Sequence, residues 1–332
     1  MNILDKLPID KVITEYEIIP TDIKLLGGFE NNVLECIGQD KSIVLKFYTT
    51  QKYSIERIKA ELNWIRHLQG ADVIVTSPIP TINGELIVTA CNIFNQKYHV
   101  VAYEKAKGTP VNDMNSNEWD DHLFYIWGKT MGKMHVAAKS FQFSNDIFKT
   151  LQWNKEDIIV SPPELGKTIH SQWNKFISQM KQFPKDPHSY GFIHHDLHQQ
   201  NFYLDHNELV LFDFGDGIFH WFANDIAISL YHAIQSIQAN EQKKRKEFAM
   251  TFLSSFIRGY MRANQLNEKS LLKIPFFINY RQIYSYVYFI NYLSVEQKKQ
   301  VQVTNMLKKM KNNIEKHIPY LNINDNDIKS LL

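Results

Sequence analysis

The sequence predicts an α+β protein in which an antiparallel sheet with one helix precedes a mainly helical region. Short runs rich in β-branched and apolar residues dominate the first hundred positions. Helical periodicity dominates after Gly108-Thr109-Pro110, and one pair of strand-like runs interrupts the helices near residue 200. With 332 residues, 44% of them hydrophobic, the chain is long enough to form two compact lobes.

The N-terminal hundred residues follow a strand order of β-β-β-α-β-β. Residues from 23 to 48 read as strands, with runs at 33–37 and 42–48 joined by the turn sequence Gly38-Gln39-Asp40-Lys41. Residues 53–69 switch to helical spacing, with apolar side chains at every third or fourth position until Gly70. Runs at 85–90 and 98–103 predict the last two strands.

The remainder of the chain reads as helices around one small hairpin. Helices are predicted at 119–138, 168–183, 225–239, 241–264, 275–292 and 294–317. The hairpin is predicted from runs at 202–204 and 209–212, which flank the turn formers of 205–208. We therefore place a first lobe at 1–103, a connection at 104–110 and a helical lobe at 111–332.

Composition excludes several classes of function. There are 37 Lys and Arg against 35 Asp and Glu, a net charge of +2 with no clustered basic block, so we expect no nucleic-acid partner. Cys36 and Cys91 are too few for a disulfide framework, which is typical of a reducing compartment. The first twelve residues lack an apolar signal segment, and polar residues interrupt the apolar stretch 274–293. We expect a cytoplasmic protein without a membrane span.

The residues that indicate chemistry lie between 193 and 216. Asp196 is followed five residues later by Asn201, and Asp213 follows the next strand. In phosphoryl transfer one carboxylate orients the attacking hydroxyl and accepts its proton, while amide and carboxylate oxygens hold Mg²⁺ against the nucleotide phosphates. The predicted hairpin would bring Asn201 and Asp213 to the same end of adjacent strands, as a shared ion requires.

This segment, with its His-x-Asp-x-x-x-x-Asn pattern, resembles the aminoglycoside phosphotransferase and choline kinase-like group of the protein kinase-like fold. The order of lobes matches over nearly the whole chain, so the resemblance implies a bilobal kinase-like fold. It implies that Asp196 is the catalytic aspartate and that Asn201 and Asp213 are Mg²⁺ ligands. It also makes His194 a packing histidine that supports the loop, and His195 stands where the family often has glycine.

The resemblance extends to the nucleotide site of the first lobe. It implies that Lys46, on the third strand, contacts the phosphates of ATP or GTP and that a glutamate of the following helix positions it. Glu61 lies on the apolar face of that helix, whereas Glu56 lies on another face, so we expect Glu61 to be the partner. The turn at Gly27 and Gly28 would lie over the phosphates, and Glu104 and Ala106 would form the adenine-contacting hinge within 104–110.

Three further residues have open roles. Asp216 in Asp213-Phe214-Gly215-Asp216 suits a metal or substrate role as well as a structural one, and His195 could alter the loop or place an imidazole near the substrate. Asp225, near the start of a predicted helix, is expected to support the catalytic loop rather than to act chemically.

The expected acceptor is a small hydroxylated molecule. Only residues 216–223 separate Gly215 from Asn224, which leaves no room for the peptide-binding activation segment of regulated protein kinases. An aminoglycoside, an amino sugar and a homoserine-like or choline-like alcohol all fit this expectation.

Three other interpretations of the function stay open at this point. A Ser/Thr protein kinase of the bacterial stress-response type is one. A non-catalytic kinase-fold scaffold is another, although such a protein would be expected to have lost at least one of the four residues Lys46, Asp196, Asn201 and Asp213. Zinc hydrolysis through His194, His195 and His198 is the third, and it leaves Asn201 and Asp213 unexplained.

Overall fold

A computed structural model describes residues 7–28, 32–39, 41–113 and 118–331. They divide into two compact units, the first within 1–109 and 203–215 and the second within 110–202 and 216–332. The segment 203–215, which the sequence analysis assigned to the helical lobe, thus groups with the first unit. It does so because Leu211 bridges to Val75 and accepts the Thr76 N–H at 3.0 Å.

The first unit is built on an antiparallel sheet. Its strands run in the order β1-β2-β3-β6-β4, and β5 also pairs with β6. Fully buried apolar side chains from β2, β3 and β6 form its core, among them Leu34, Leu45, Phe47 and Val100. The elements up to residue 110 are α1 (Ile9–Ile13), β1 (Asp22–Gly27), β2 (Val33–Ile37), β3 (Ser42–Thr49), α2 (Ile55–Gln69), β4 (Pro78–Ile79), β5 (Val88–Cys91), β6 (Lys97–Glu104) and β7 (Thr109–Pro110).

Helix α2 forms as the sequence predicts. The Ser54 side chain caps its start by accepting the Arg57 N–H at 3.2 Å, and the chain leaves the helix at Gly70. The strand predicted at 85–90 begins only at Val88, because Thr81 holds Glu85 in a turn through two hydrogen bonds. Phe29, Glu30, Asn31 and Asp40, which belong to two predicted turns, lie outside the described residues.

The second unit is mainly helical, which confirms the predicted α+β fold class. The later elements are α3 (Asp121–Ser140), α4 (Asn145–Thr150), α5 (Asp157–Val160), α6 (Lys167–Met180), β8 (Tyr190–Ile193), β9 (Phe202–Asp205), β10 (Glu208–Leu211), β11 (Ile218–Trp221), α7 (Phe222–Ala233), α8 (Gln242–Tyr260), α9 (Glu268–Leu271), α10 (Ile274–Tyr292), α11 (Val295–Lys299), α12 (Val301–Glu315) and α13 (Asp325–Lys329). The predicted hairpin corresponds to β9 and β10. The single helix predicted at 294–317 is wrong, because Gln300 is extended (ψ 131°) and separates α11 from α12.

Helices α3 and α8 pack with their backbones in contact. A β-carbon at Gly128 would lie 1.9 Å from the Phe256 carbonyl oxygen, and one at Gly259 would lie 1.9 Å from the Tyr125 carbonyl oxygen. Only glycine permits this approach, which seats the ring of Trp127 against those of α8.

A two-stranded ladder of β8 and β11, which the sequence analysis missed, leads into the segment that contains Asp196. Ile193 pairs with Ile218 at the point where β8 leads into residues 194–201. Both strands are only four residues long and fully or nearly buried, so they show no alternation of polar and apolar residues. Among the described residues, no helix combines the length and the apolar character that crossing a membrane requires.

Candidate active site

Lys46, on β3, lies between two carboxylates of the first unit. Its Nζ is 2.6 Å from Asp213 Oδ1 and 3.5 Å from Glu61 Oε1. Burial alone would lower the pKa of the Lys46 ammonium group, but the charges of Asp213 and Glu61 outweigh burial and hold the pKa well above its ordinary value. Lys46 is therefore a fixed positive charge at neutral pH.

Glu61 is the α2 carboxylate that reaches Lys46, whereas Glu56 is exposed. The Tyr48 hydroxyl donates to Glu61 at 3.0 Å, and the Tyr103 hydroxyl donates to it at 3.4 Å. Burial, and then the negative charge of Glu61, raise the pKa of both tyrosines well above the ordinary value, so both remain donors. Two hydroxyls and one ammonium group thus satisfy a carboxylate that is only 7% exposed.

Gly215 lets the Asp213 segment lie close to Lys46. A β-carbon at Gly215 would lie 2.7 Å from Lys46 Nζ, and the Arg57 guanidinium donates to the Gly215 carbonyl at 3.0 Å. A side chain at this position would displace the end of the Lys46 side chain, so the glycine of Asp213-Phe214-Gly215 leaves room for the ammonium group.

The other predicted nucleotide-site residues lie at strand ends of the same unit. Gly27 and Gly28 end β1 with φ values of 133° and 85°, which favour glycine. The Glu104 N–H donates to the Ser77 carbonyl at 2.9 Å while its side chain is exposed, and Ala106 is half-buried beyond β6.

In the second unit, Asp225 holds the start of the segment 194–201. Its carboxylate accepts the backbone N–H of His194 at 3.1 Å and that of His195 at 2.9 Å. His135 Nε2 lies 3.1 Å from the same carboxylate, and the Tyr260 hydroxyl lies 2.9 Å from His135 Nδ1. Burial would raise the pKa of Asp225, but these hydrogen bonds lower it, so Asp225 is anionic.

The rest of the segment 194–201 is held through the backbone carbonyls of Asp196 and Leu197. Ser229 Oγ donates to the Leu197 carbonyl at 2.7 Å, and the Asn201 amide nitrogen donates to the Asp196 carbonyl at 2.9 Å. Helix α7 supplies both Asp225 and Ser229, so it sets the position of the loop from one rigid element.

The Asp196 carboxylate is held by three cationic or imidazole groups. Arg281 Nη2 is 2.8 Å from Oδ1, His198 Nε2 is 3.3 Å from Oδ2, and His232 Nε2 is 3.7 Å from Oδ1. Burial would raise the pKa of Asp196, but the His198 hydrogen bond and the charge of Arg281 lower it far below its ordinary value. Asp196 is thus an oriented anion with 27% of its side chain exposed.

Arg281 and His232 are contacts that the sequence analysis did not assign to Asp196. Arg281 is the only charged residue of α10, a helix otherwise made of apolar, aromatic and uncharged polar side chains. A lone cation on a buried helix signals a carboxylate partner. Trp221, Phe222 and Phe277 are at most 1% exposed and pack in the core.

His195 adopts a left-handed backbone conformation, with φ at 69°. That conformation favours glycine, which accounts for the glycine that the resembled family often has at this position. The side chain is buried, and its Nε2 lies 3.4 Å from the Tyr284 hydroxyl and 3.5 Å from Glu156 Oε2. Asp216 ends the short 3-10 turn Phe214–Asp216.

The arrangement of these residues does not support the hypothesis of zinc hydrolysis through His194, His195 and His198. Within 7–28, 32–39, 41–113 and 118–331, no group of three or more His, Cys, Asp or Glu side chains is placed to hold a metal ion. The backbone N–H groups of His194 and His195 donate to the Asp225 carboxylate, and the His198 imidazole contacts the Asp196 carboxylate.

Comparison with known proteins identifies the family. The phosphotransferase enzyme family (APH) matches residues 22–264. The chain belongs to this phosphotransferase family. It is 31% identical over 274 residues to the amicoumacin kinase of Bacillus subtilis (strain 168), a match that covers 82% of this chain and 80% of that protein. The phosphotransferase is thus a small-molecule kinase that acts on an alcohol group, as the sequence predicted.

Solved structures confirm the protein kinase-like fold of this phosphotransferase. An amicoumacin kinase in complex with AMP-PNP, Ca²⁺ and Ami superposes with a TM-score of 0.85 at 26% identity, covering 96% of both chains. A microcompartment-associated aminopropanol kinase superposes with a TM-score of 0.69 at 16% identity, covering 98% and 99% of the two chains, and this likeness concerns the fold alone.

Proposed function

We propose that this phosphotransferase moves the γ-phosphoryl group of ATP or GTP to a hydroxyl of a small molecule, with Asp196 as the catalytic base. The main support for this proposal is the Asp196 carboxylate, which is anionic, oriented by Arg281 and His198, and partly exposed. Such a carboxylate can orient an attacking hydroxyl and receive its proton as the new bond to phosphorus forms.

Lys46 would contact the nucleotide phosphates. Its ammonium group is kept charged and is fixed by Glu61 and Asp213, as electrostatic stabilisation of a transferring phosphoryl group requires. The backbone at Gly27 and Gly28 would lie over the phosphates, and Glu104 and Ala106 would contact the base.

Asn201 and Asp213 have the donor chemistry of Mg²⁺ ligands. The Asn201 amide nitrogen donates to the Asp196 carbonyl, which leaves the amide oxygen as its cation-binding atom, and the Asp213 carboxylate is 41% exposed. Hard oxygen ligands of this kind suit Mg²⁺. When bound, the ion would neutralise charge on the phosphates during transfer.

The acceptor proposed first is amicoumacin or a compound of similar chemistry, because the 31% identity to an amicoumacin kinase spans four-fifths of both chains. An amino sugar and a homoserine-like or choline-like alcohol are the next compounds to test.

A thermal-shift titration with ATP and GTP, each with and without Mg²⁺, tests the nucleotide site. A ligand present at a hundredfold excess over its Kd stabilises the fold by about 2.7 kcal/mol. We expect a Mg²⁺-dependent rise in the melting temperature with at least one nucleotide. No rise with either nucleotide would refute the proposed donor site.

A substitution at Asp213 tests whether this residue binds Mg²⁺. Asp213→Asn should weaken the Mg²⁺-dependent part of the shift, while Asp205→Asn, on the hairpin that precedes Asp213, should leave it unchanged. An unaltered Mg²⁺ titration in Asp213→Asn would exclude Asp213 as a ligand.

A further inference from the structure

We infer that Glu156 binds a protonated amine of the acceptor, which assigns the enzyme an amino alcohol as its substrate class. The inference rests on the proposed function, because it concerns the molecule whose hydroxyl Asp196 would orient. It is drawn entirely from contacts within the second unit.

The Glu156 carboxylate has one oxygen engaged and one that lacks a partner. Oε2 accepts the Tyr284 hydroxyl at 2.6 Å and lies 3.5 Å from His195 Nε2. Oε1 is buried and has no hydrogen-bond partner among the described residues. Because a buried carboxylate oxygen without a donor costs free energy, this oxygen favours a ligand that brings an N–H or O–H group.

The charges around Glu156 favour a cationic ligand. Across the described ranges, no Lys or Arg lies within ion-pair distance of Glu156, and the nearby Arg281 is already paired with Asp196. Burial raises the pKa of Tyr292, and the negative charges of Asp157, Glu156 and Asp216 raise it further. An ammonium group would therefore supply both the missing donor and the missing positive charge.

Tyr280 gives a second, independent sign of a ligand at this place. It is 1% exposed, its hydroxyl has no hydrogen-bond partner among the described residues, and its ring lies 5.7 Å from that of Tyr284. Burial raises the pKa of the Tyr280 hydroxyl, and the negative charge of Glu156 raises it further. A polar ligand held by Glu156 could also satisfy Tyr280.

The position of Glu156 connects it to Asp196 by two routes. His195, which faces Glu156, precedes Asp196 in the chain. Tyr284, which donates to Glu156, lies under the Arg281 guanidinium at 5.2 Å, and Arg281 holds Asp196. The proposed acceptor presents its hydroxyl to Asp196 and its amine to Glu156.

The test compares charged and uncharged forms of one acceptor. Amicoumacin, 1-amino-2-propanol, homoserine, choline and kanamycin are assayed with wild type, and the best primary amine among the acceptors is compared with its N-acetyl derivative, which keeps the hydroxyl and lacks the positive charge. The variants are Glu156→Gln, which preserves shape, and Glu164→Gln, an exposed glutamate of the same unit, as the matched control.

We expect wild type to prefer the amine over its N-acetyl derivative. Glu156→Gln should lower kcat/KM for the amine by about 10- to 100-fold, mainly through KM, as expected for loss of a hydrogen bond to a charged group. It should change kcat/KM for the N-acetyl form and KM for the nucleotide less than twofold, and Glu164→Gln should behave as wild type. An unchanged nucleotide KM also shows that Glu156→Gln is folded.

Three results would overturn the inference. Equal use of both forms, or an amine preference that survives in Glu156→Gln, refutes the role of Glu156 and leaves the phosphotransferase proposal intact. A wild type that phosphorylates no primary amine in the panel rejects the amino-alcohol class. If it also gives no Mg²⁺-dependent nucleotide shift, the proposed function itself fails.

Discussion

Arg281 offers the sharpest test of how this site is built, through the substitution Arg281→Met. Methionine keeps much of the apolar stem on α10 but removes the guanidinium that lies 2.8 Å from Asp196 Oδ1. The side chains are 11% and 27% exposed, so the pair lies between a surface ion pair, worth about 0–1 kcal/mol, and a buried pair whose disruption costs about 3–5 kcal/mol. We expect a loss of about 2 kcal/mol in the free energy of unfolding.

The effect on catalysis should be larger than the effect on stability. Without Arg281, the Asp196 carboxylate keeps only the longer contacts with His198 at 3.3 Å and His232 at 3.7 Å. These contacts orient it less firmly, and a misplacement of about 1 Å costs about 100-fold in rate. We therefore expect kcat to fall about 100-fold, while KM for the nucleotide changes less than threefold because Lys46, Glu61 and Asp213 are untouched.

Coupled steady-state assays of ADP or GDP release and urea unfolding measure the two effects. Arg258→Met, an exposed arginine of α8 whose guanidinium lies 5.7 Å from the Tyr125 ring, is the control and should leave kcat unchanged. A normal kcat in Arg281→Met would refute the proposal that Arg281 orients the Asp196 carboxylate for the reaction.

Three other predictions follow from single contacts. Asp196→Ala should lower kcat about 1000-fold with nucleotide binding retained, and unchanged turnover would remove Asp196 from the reaction. Gly128→Ala should destabilise the fold by about 1–3 kcal/mol, because its β-carbon would lie 1.9 Å from the Phe256 carbonyl oxygen; an unchanged urea midpoint would contradict that packing. Burial, and then the charge of Arg281, lower the pKa of His232 to about 3 from 6.5. Because the unfolded chain binds this proton at a higher pH than the folded chain does, the free energy of unfolding falls as the pH is lowered from 6.5 to 3. His232→Gln should lose about 1.4 kcal/mol less per pH unit in that window. Identical pH profiles would exclude a neutral His232 in the folded protein.

The sequence predicted the fold class because its long elements carry strong local signals. Helix α2 has a serine cap, an apolar face and a glycine at its end, and each feature was visible in the order of residues. The ladder of β8 and β11 was missed because strands of four buried residues lack periodicity, and their pairing joins segments 25 residues apart through Ile193 and Ile218.

The candidate site divides in the same way. The spacing of Asp196, Asn201 and Asp213 was readable because the resembled family has a fixed pattern at these positions. The residues that hold the Asp196 carboxylate could not be predicted, because Arg281 and His232 lie on α10 and α7 and reach it only through tertiary packing. Glu156 escaped notice for a related reason, since a glutamate in a polar stretch of sequence normally faces solvent.

The most direct measurement is mass spectrometry of an acceptor after incubation with the enzyme, ATP or GTP, and Mg²⁺, with amicoumacin as the first acceptor and the amino alcohols after it. The account predicts a product heavier by one phosphoryl group, formed with release of nucleoside diphosphate and absent with Asp196→Ala. Nucleotide that is bound with Mg²⁺ but transferred to no small molecule, or product that forms equally with Asp196→Ala, would contradict it.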